Sequence, residues 1–513
     1  MTSIAPDLGS RPGRITKRLA SMGPVALLTL ICVAQFMVML DVSIVNVALP
    51  SIRDELGFSQ VGLQWVVNAY ALAFAGCLLL GGRLADLVGR RRMFLIGLGC
   101  FTACSLLCGL AQGQVMLVGA RGAQGLSAAL LSPATLTILT TSFPEGPQRA
   151  RAMGAWSAVA SGGAVAGALI GGVLTQWITW RWIFFINVPI GILALVSARS
   201  LLPVDRTSFD RHGLDLVGAI LVTTSLALIS FGIVESSTHG WASPTTLFPL
   251  AGGFVKLAAF VVFEARVARA PLLRLELFKN RSVTGANAGG FLISSTMFAL
   301  WFFLTLYLQN VLGYGPLKAG LAFVPSGLAI LAGTQISSRL VNRCGPRPLL
   351  LVGPLVTSAG LLWFSQLSAS GGYLAHVLGP SAVTMFGLGI AFVPLTMAGV
   401  SGVPREEAGL ASGVFNTSRQ VGGSLGLGVL ATLAANRTKA ILAGSHPTHA
   451  AVLQALTSGY THGFAIGAVI VLVAGAVVVT LVPGKTSGKG RWRHAISAAL
   501  GQPWHAVEEP QAR

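Results

Sequence analysis

Four charged side chains stand inside long apolar runs: Asp41, Arg121, Lys256 and Arg419. From Leu19 to Ile52, Asp41 is the only charged residue. A carboxylate in the middle of an apolar helix costs roughly 2.5–3.5 kcal/mol on insertion scales, so something must repay it. One chemistry that does so is proton binding. Burial favours the neutral acid and a nearby arginine favours the anion, so a change of surroundings moves the proton. The competing reading is a packing carboxylate held by hydrogen bonds. Arg121 keeps its charge and must find an anion, a carbonyl or water. Asp41 is the one acid well inside a span of the N-terminal half, so the two are expected to pair. Arg419 stands beside Asn416 and Gln420, a polar cluster that either lines a cavity or makes structural hydrogen bonds. Lys256 either snorkels or meets Glu264, and carries no assigned chemistry.

Other chemistries find no support. Cys100, Cys104 and Cys108 recur every fourth residue, but no His or acid joins them. They read as small residues that let helices approach, not as metal ligands. No metal site is expected. No Gly-x-x-x-x-Gly-Lys loop is present, so no nucleotide is expected to power the protein. No nucleophile stands beside a base, and the chain reads as a non-enzyme without cofactors.

These residues need helices to position them across a membrane. The chain has 513 residues, 53% hydrophobic and only 10% charged; soluble domains carry about 25% charge. Its apolar stretches are about 20 residues long, enough to cross as helices, and are not the alternating segments of a β-barrel. Fourteen spans are expected: 25–47, 62–82, 93–112, 115–138, 152–175, 182–202, 214–234, 246–263, 284–308, 318–338, 348–367, 375–398, 408–434 and 461–482. The first follows Arg11, Arg14, Lys17 and Arg18 and reads as a retained span rather than a cleaved signal. With both termini cytoplasmic, only Arg53, Arg181, Lys318, Arg437 and Lys439 of the 35 Lys and Arg fall outside, and three lie within spans. The rest obey the positive-inside rule. The net charge of +19 therefore answers to the lipid bilayer, and no nucleic-acid partner is expected.

The spans group as six, two and six. "GGRLADLVGRRR" (81–92) and "SSRLVNRCGPRP" (337–348) share one pattern, as do "MGAWSAVASGG" (153–163) and "SGVFNTSRQVG" (412–422), at almost the same separation. This predicts an all-α integral membrane protein built as two pseudo-symmetric six-helix bundles with an inserted two-helix hairpin. The expected parts are a cytoplasmic tail (1–24), an N-terminal bundle (25–202), a linker with two extra helices (203–282), a C-terminal bundle (283–484) and a basic cytoplasmic tail (485–513). Parallel repeats with a site at the midplane describe a secondary transporter.

Several stretches resemble the major facilitator superfamily. "GGRLADLVGRRR" resembles its cytoplasmic loop signature, "LVGARGAQGLSAA" (117–129) its Arg-x-x-Gln-Gly motif, and "GAVAGALIGG" (163–172) its antiporter motif. "LDVSIVNVALPSI" (40–52), "WRWIFFINVPIG" (180–191), "YLQNVLGYGPLKAGLAFVP" (307–325) and "ASGVFNTSRQVGGSLG" (411–426) resemble the fourteen-span drug:proton antiporter branch. The resemblance implies that Asp41 couples to protons and that Arg121 tunes it. It implies a cytoplasmic latch of Gly82, Asp86, Gly89, Arg90 and Arg91, with Glu406 and Glu407 as partners for Arg90 or Arg91. Gly163, Gly167, Gly171 and Gly172 would serve helix packing, with Ala168 where the motif has Pro. Trp177, Trp180 and Trp182 read as interface anchors.

The expected function is proton-driven efflux of amphipathic small molecules, such as antibiotics or dyes, across a bacterial cytoplasmic membrane by alternating access. A monomer suffices. Asn46, Gln124, Gln309, Asn310, Asn416, Arg419 and Gln420 are the polar candidates for the substrate cavity. The alternative is a proton-coupled uptake symporter or facilitator on the same fold, because fold alone does not fix function.

Overall fold

The computed structural model describes residues 14–143, 147–202, 215–268, 271–404, 407–443 and 448–483. The side chain of Asp86, the whole of Glu406 and both expected tails beyond these bounds lie outside the described residues. The described chain is helical throughout. In order the helices are α1 (Arg14–Leu56), α2 (Trp65–Val88), α3 (Arg90–Gly109), α4 (Gln114–Ser142), α5 (Pro147–Trp177), α6 (Trp182–Phe185) and α7 (Asn187–Leu201). After them come α8 (Leu216–His239), α9 (Pro244–Arg266), α10 (Arg281–Leu306), α11 (Pro316–Ala322) and α12 (Val324–Cys344). The chain continues through α13 (Pro346–Phe364), α14 (Gly379–Gly399), α15 (Ala408–Leu442) and α16 (His449–Leu481). With no water in hydrocarbon, a chain this apolar satisfies its backbone groups within helices.

Twelve stretches among the described residues are long and apolar enough to cross a membrane. That is two short of the expected fourteen. The two expected spans outside the twelve are α5 and α15, both long helices, of 31 and 35 residues. They are rich in glycine, and α15 carries Asn416, Arg419 and Gln420, so apolarity alone does not mark them.

Helix contacts fall into two sets of the same design. In the first, α1 packs on α5, and α2 and α3 on α4; in the second, α10 packs on α15 and α12 and α13 on α14. Glycines make the correspondence explicit. Gly163 and Gly167 of α5 lie against Met39 and Ser43 of α1, where an added Cβ would come within 3.0 and 2.8 Å. At the matching positions of α15, Gly422 and Gly426 lie against Phe291 and Ser295 of α10, at 2.2 and 2.1 Å. Small residues at such seams let helix backbones approach. The two loop repeats also match. Gly89, between α2 and α3, has φ 113°, and Gly345, between α12 and α13, has φ 80°. Both turns reverse the chain through a backbone conformation that only glycine adopts cheaply.

The hairpin α8–α9 is held to the rest through α8, which packs on both α2 and α15. Thr223 of α8 sits over Gly76 of α2, where an added Cβ would lie 2.2 Å from its hydroxyl. Most of α9 is open, with Phe248, Phe254 and Val255 exposed, as a lipid-facing helix requires. Lys256 is exposed on this helix. Glu264 instead accepts from the backbone N–H of Leu273 at 3.2 Å, so of the two expectations for Lys256 the meeting with Glu264 is not what the contacts give.

The two sets meet unevenly. At the end carrying Arg53, the second half of α1 joins α10 and α16 in one continuous apolar core. The first half of α1 belongs to a separate core with α2, α3, α4 and α7. At the Arg53 end, Gly172 of α5 meets Pro316 and Leu317 of α11, and Ala168 meets Gly320. Toward the opposite end, which carries Arg90, Leu79 of α2 meets Gly413 of α15, within an apolar cluster that includes Leu277, Val283 and Val414.

Candidate functional site

Asp41 lies in the middle of α1 and is closed off completely. Its partners come from α4. Arg121 Nη1 donates to Asp41 Oδ2 at 2.5 Å, and Gln124 Nε2 donates to Asp41 Oδ1 at 2.8 Å. Arg121 and Gln124 are one turn apart, so both side chains reach the same face. Arg121 Nη1 also donates to Gln124 Oε1 at 2.8 Å, and Nε donates to the Val66 carbonyl of α2 at 3.0 Å. The guanidinium lies 4.4 Å from the ring centre of Tyr70 and 5.7 Å from that of Phe184. Cys108 Sγ of α3 reaches Gln124 Oε1 at 3.6 Å.

The cluster therefore has four helices around one ion pair, with Phe184 closing it from α6. Both carboxylate oxygens are engaged, and the arginine has an anion, two oxygen acceptors and an aromatic face. Charged hydrogen bonds in such a setting are about twice as strong as neutral ones. The arrangement can hold a negative charge on Asp41. Gln64, in the turn before α2, and Asn68 of α2 are fully buried with no partner for their amide atoms among the described residues.

Several expected site residues fall elsewhere. Gln124 is not a cavity wall but part of the closed cluster. Gln309 and Asn310 sit in the π-helical turn Tyr307–Val311. Gln309 Nε2 donates to the Val47 carbonyl at 2.7 Å, and Arg53 Nη2 donates to Asn310 Oδ1 at 3.5 Å. Both are half-buried and tie the second half to α1. Gln60 Nε2 adds a third such tie, to Tyr460 Oη at 3.1 Å. Asn46 bonds back to Val42 of its own helix. Asn416 is exposed and bonds to Ser412 of its own helix, and Gln420 is half-buried. Arg419 is half-buried between the rings of Phe392 and Phe415, at 5.0 and 5.8 Å.

At the Arg90 end, Gly89 makes the turn, whereas Gly82 lies within α2 and only brushes Pro133. Arg91 donates to the Arg199 carbonyl at 2.7 Å. Glu407 pairs with Arg274 at 2.5 Å, a residue of the segment after the hairpin, rather than with Arg90 or Arg91. Gly171 packs on Ile44 of α1, while Gly172 faces the other half. Trp180 is a correction: it is buried and donates to Glu55 Oε2 at 2.6 Å, beside the Arg181–Glu55 pair. Trp177 and Trp182 are exposed. Among the described residues no group of His, Cys, Asp and Glu could hold a metal ion.

Tyr70, Phe184 and the Val66 carbonyl are site groups that sequence reasoning missed. Tyr70 left a trace, since the chain has only five tyrosines and this one stands inside a span.

An all-helical chain with twelve apolar spans among the described residues and a buried ion pair joining α1 to α4 suits a membrane transporter, and the comparisons agree. The chain belongs to the Major Facilitator Superfamily, whose family model matches residues 31–427. The cephamycin export protein CmcT of Amycolatopsis lactamdurans is 43% identical over 485 residues, 94% of this chain and 96% of its own length. The puromycin resistance protein pur8 of Streptomyces alboniger is 38% identical over 466 residues, 90% of this chain and 91% of its own. Among solved structures, a bacterial homologue of the human lysosomal transporter Spinster, inward-facing and unoccupied, superposes with TM-score 0.62 at 16% identity. That match covers 90% of this chain and 97% of the other, and is a likeness of fold. The chain is thus a small-molecule transporter of the cytoplasmic membrane and not an enzyme, with bacterial antibiotic export and resistance proteins among its relatives.

Proposed function

We propose that this protein exports amphipathic small molecules, antibiotics among them, in exchange for protons. The observation that carries the reading is the closed Asp41–Arg121–Gln124 cluster, in a chain whose relatives include proteins named for cephamycin export and puromycin resistance. In this reading Asp41 takes a proton when the cluster opens to the outside and loses it when Arg121 returns from the inside. The substrate leaves by the opposite stroke.

The reading assigns fourteen spans, α5 and α15 included, with both termini cytoplasmic, as in the drug:proton antiporter branch. Residues 25–202 and 283–484 form the moving halves, 203–282 the linker with its hairpin, and 1–24 and 485–513 the tails. The Arg90 end is then cytoplasmic, and its loop 82–91 biases the halves toward one state. The Arg53 end is external, closed by Gln309–Val47, Arg53–Asn310 and Gly172–Pro316. A monomer contains every part this mechanism uses.

The test uses inverted membrane vesicles with an imposed inside-acid gradient and a pH-sensitive dye. A panel containing puromycin and a cephamycin is added to wild type and to Asp41→Asn. Proton release on adding drug, lost in the variant, is expected. Release that survives in Asp41→Asn would move the proton to another group. Drug accumulation in the vesicles without proton release would overturn proton exchange, and accumulation of no member of the panel would overturn export.

A further inference from the structure

The geometry points to Arg419 as the recognition point for an anionic group on the transported molecule. The inference rests on the transporter reading above and adds a substrate class to it.

Charge is the first argument. From Leu277 to Val507 the sequence contains only two acids, Glu406 and Glu407, both just before α15. Arg419 lies twelve positions beyond Glu407, about 18 Å along a helix, out of reach of either. The partner of Glu407 is Arg274. Asp41, the acid deep in the first half, has both oxygens taken by Arg121 and Gln124. No carboxylate among the described residues pairs with Arg419. The two deep arginines therefore differ in kind: Arg121 has a resident anion and Arg419 has none. A guanidinium cannot shed its proton to relieve this.

Placement is the second. α15 packs on α2, α8, α10 and α16, so it is an interior helix. Yet Asn416 is exposed on it, and Arg419 and Gln420 are only half-buried. An open polar face on an interior helix lines a cleft in the protein; facing lipid, it would be costly. The surroundings of the guanidinium suit an amphipathic ligand. Phe392 and Phe415 offer aromatic faces at 5.0 and 5.8 Å, which hold the cation in place and leave its donor edge for a planar carboxylate, the partner that an arginine fork fits. Gly290 of α10 makes room for the stem: a Cβ there would lie 3.1 Å from Arg419 Cγ.

The full chain, in nanodiscs of phosphatidylcholine alone, is titrated with two fluorescent probes of nearly equal shape, dansylglycine and dansylglycinamide. Wild type is expected to bind the carboxylate about tenfold tighter than the amide. Arg419→Gln brings the two within about twofold, and Arg419→Lys restores part of the preference as a point charge without the fork. Gly290→Ala, which crowds the stem, weakens dansylglycine alone. Adding phosphatidylglycerol distinguishes sources: competition with dansylglycine means that a lipid anion can occupy the same site, and no competition reserves it for soluble anions. Equal binding of both probes by wild type, binding of neither, or a preference that survives in Arg419→Gln overturns the inference. Drug-evoked proton release is read separately, so loss of antiport and loss of anion selectivity do not masquerade as each other.

Discussion

Nη1 of Arg121 lies 2.5 Å from Oδ2 of Asp41, and both residues are shut away from solvent. A buried ion pair of this kind stabilises little against an apolar pair of the same size, but removing one partner alone costs about 3–5 kcal/mol. Arg121→Met should therefore lower the thermal transition of the purified protein strongly, because it strands the Asp41 carboxylate. Asp41→Leu should do the same to Arg121. The double variant should be less damaged than the two losses added together, and a double-mutant cycle read by thermal unfolding checks this. Simple additivity would mean that the two side chains do not act as a pair.

Tyr70 separates the ring from the hydroxyl. Its ring lies under the Arg121 guanidinium, while its buried hydroxyl has no partner among the described residues. A desolvated cation over an aromatic face is worth about 2 kcal/mol; an unpartnered buried hydroxyl is a cost. Tyr70→Phe should leave the thermal transition unchanged or raise it, and Tyr70→Leu should lower it. A Tyr70→Phe variant less stable than Tyr70→Leu would show that the hydroxyl, and not the ring, holds the site.

The glycine seams give a third contrast, within single helices. A Cβ at Gly426 would fall 2.1 Å from the Ser295 side chain, and one at Gly167 2.8 Å from that of Ser43, whereas Gly162 has open space within 4 Å. Helices cannot part for one seam without moving their neighbours. Gly426→Ala should reduce the yield of folded protein most, Gly167→Ala less, and Gly162→Ala not at all. Size-exclusion profiles of detergent extracts measure the order, and an equal loss at all three would remove close packing as the reason for the glycines.

How much of this was legible beforehand depends on what leaves a mark in sequence. Arg121 and Asp41 could be paired on paper because an interior cation needs an anion and the N-terminal half offered one. The glycine turns at Gly89 and Gly345 were legible as repeats of one loop. Gln309 and Asn310 were not, because polarity near a span end looks the same whether it faces a cavity or a neighbouring helix. Trp180 read as a membrane anchor for a similar reason; only the fold brings Glu55 to its indole. The Val66 carbonyl left no mark, since every residue has a carbonyl. Glu407 was expected opposite the arginines of the first loop, but the chain after the hairpin delivers Arg274 to it first.

Gln309 and Val47 join the two halves at the Arg53 end through one 2.7 Å hydrogen bond, with Arg53–Asn310 and Gln60–Tyr460 alongside. Each such bond contributes about 0.5–1.5 kcal/mol net, so losing two should shift a balanced two-state equilibrium severalfold without unfolding either half. Gln309→Ala with Asn310→Ala should therefore open that end more often. Asn46, on α1 next to Val47, is a suitable reporter, as Asn46→Cys. Its labelling by a membrane-impermeant maleimide added outside intact cells should quicken severalfold in the double variant, measured against the same chains with Asn46 retained to subtract the native cysteines. Unchanged labelling would show that the apolar core shared by α1, α10 and α16 holds this end shut by itself. The polar ties would then set only the register of the halves.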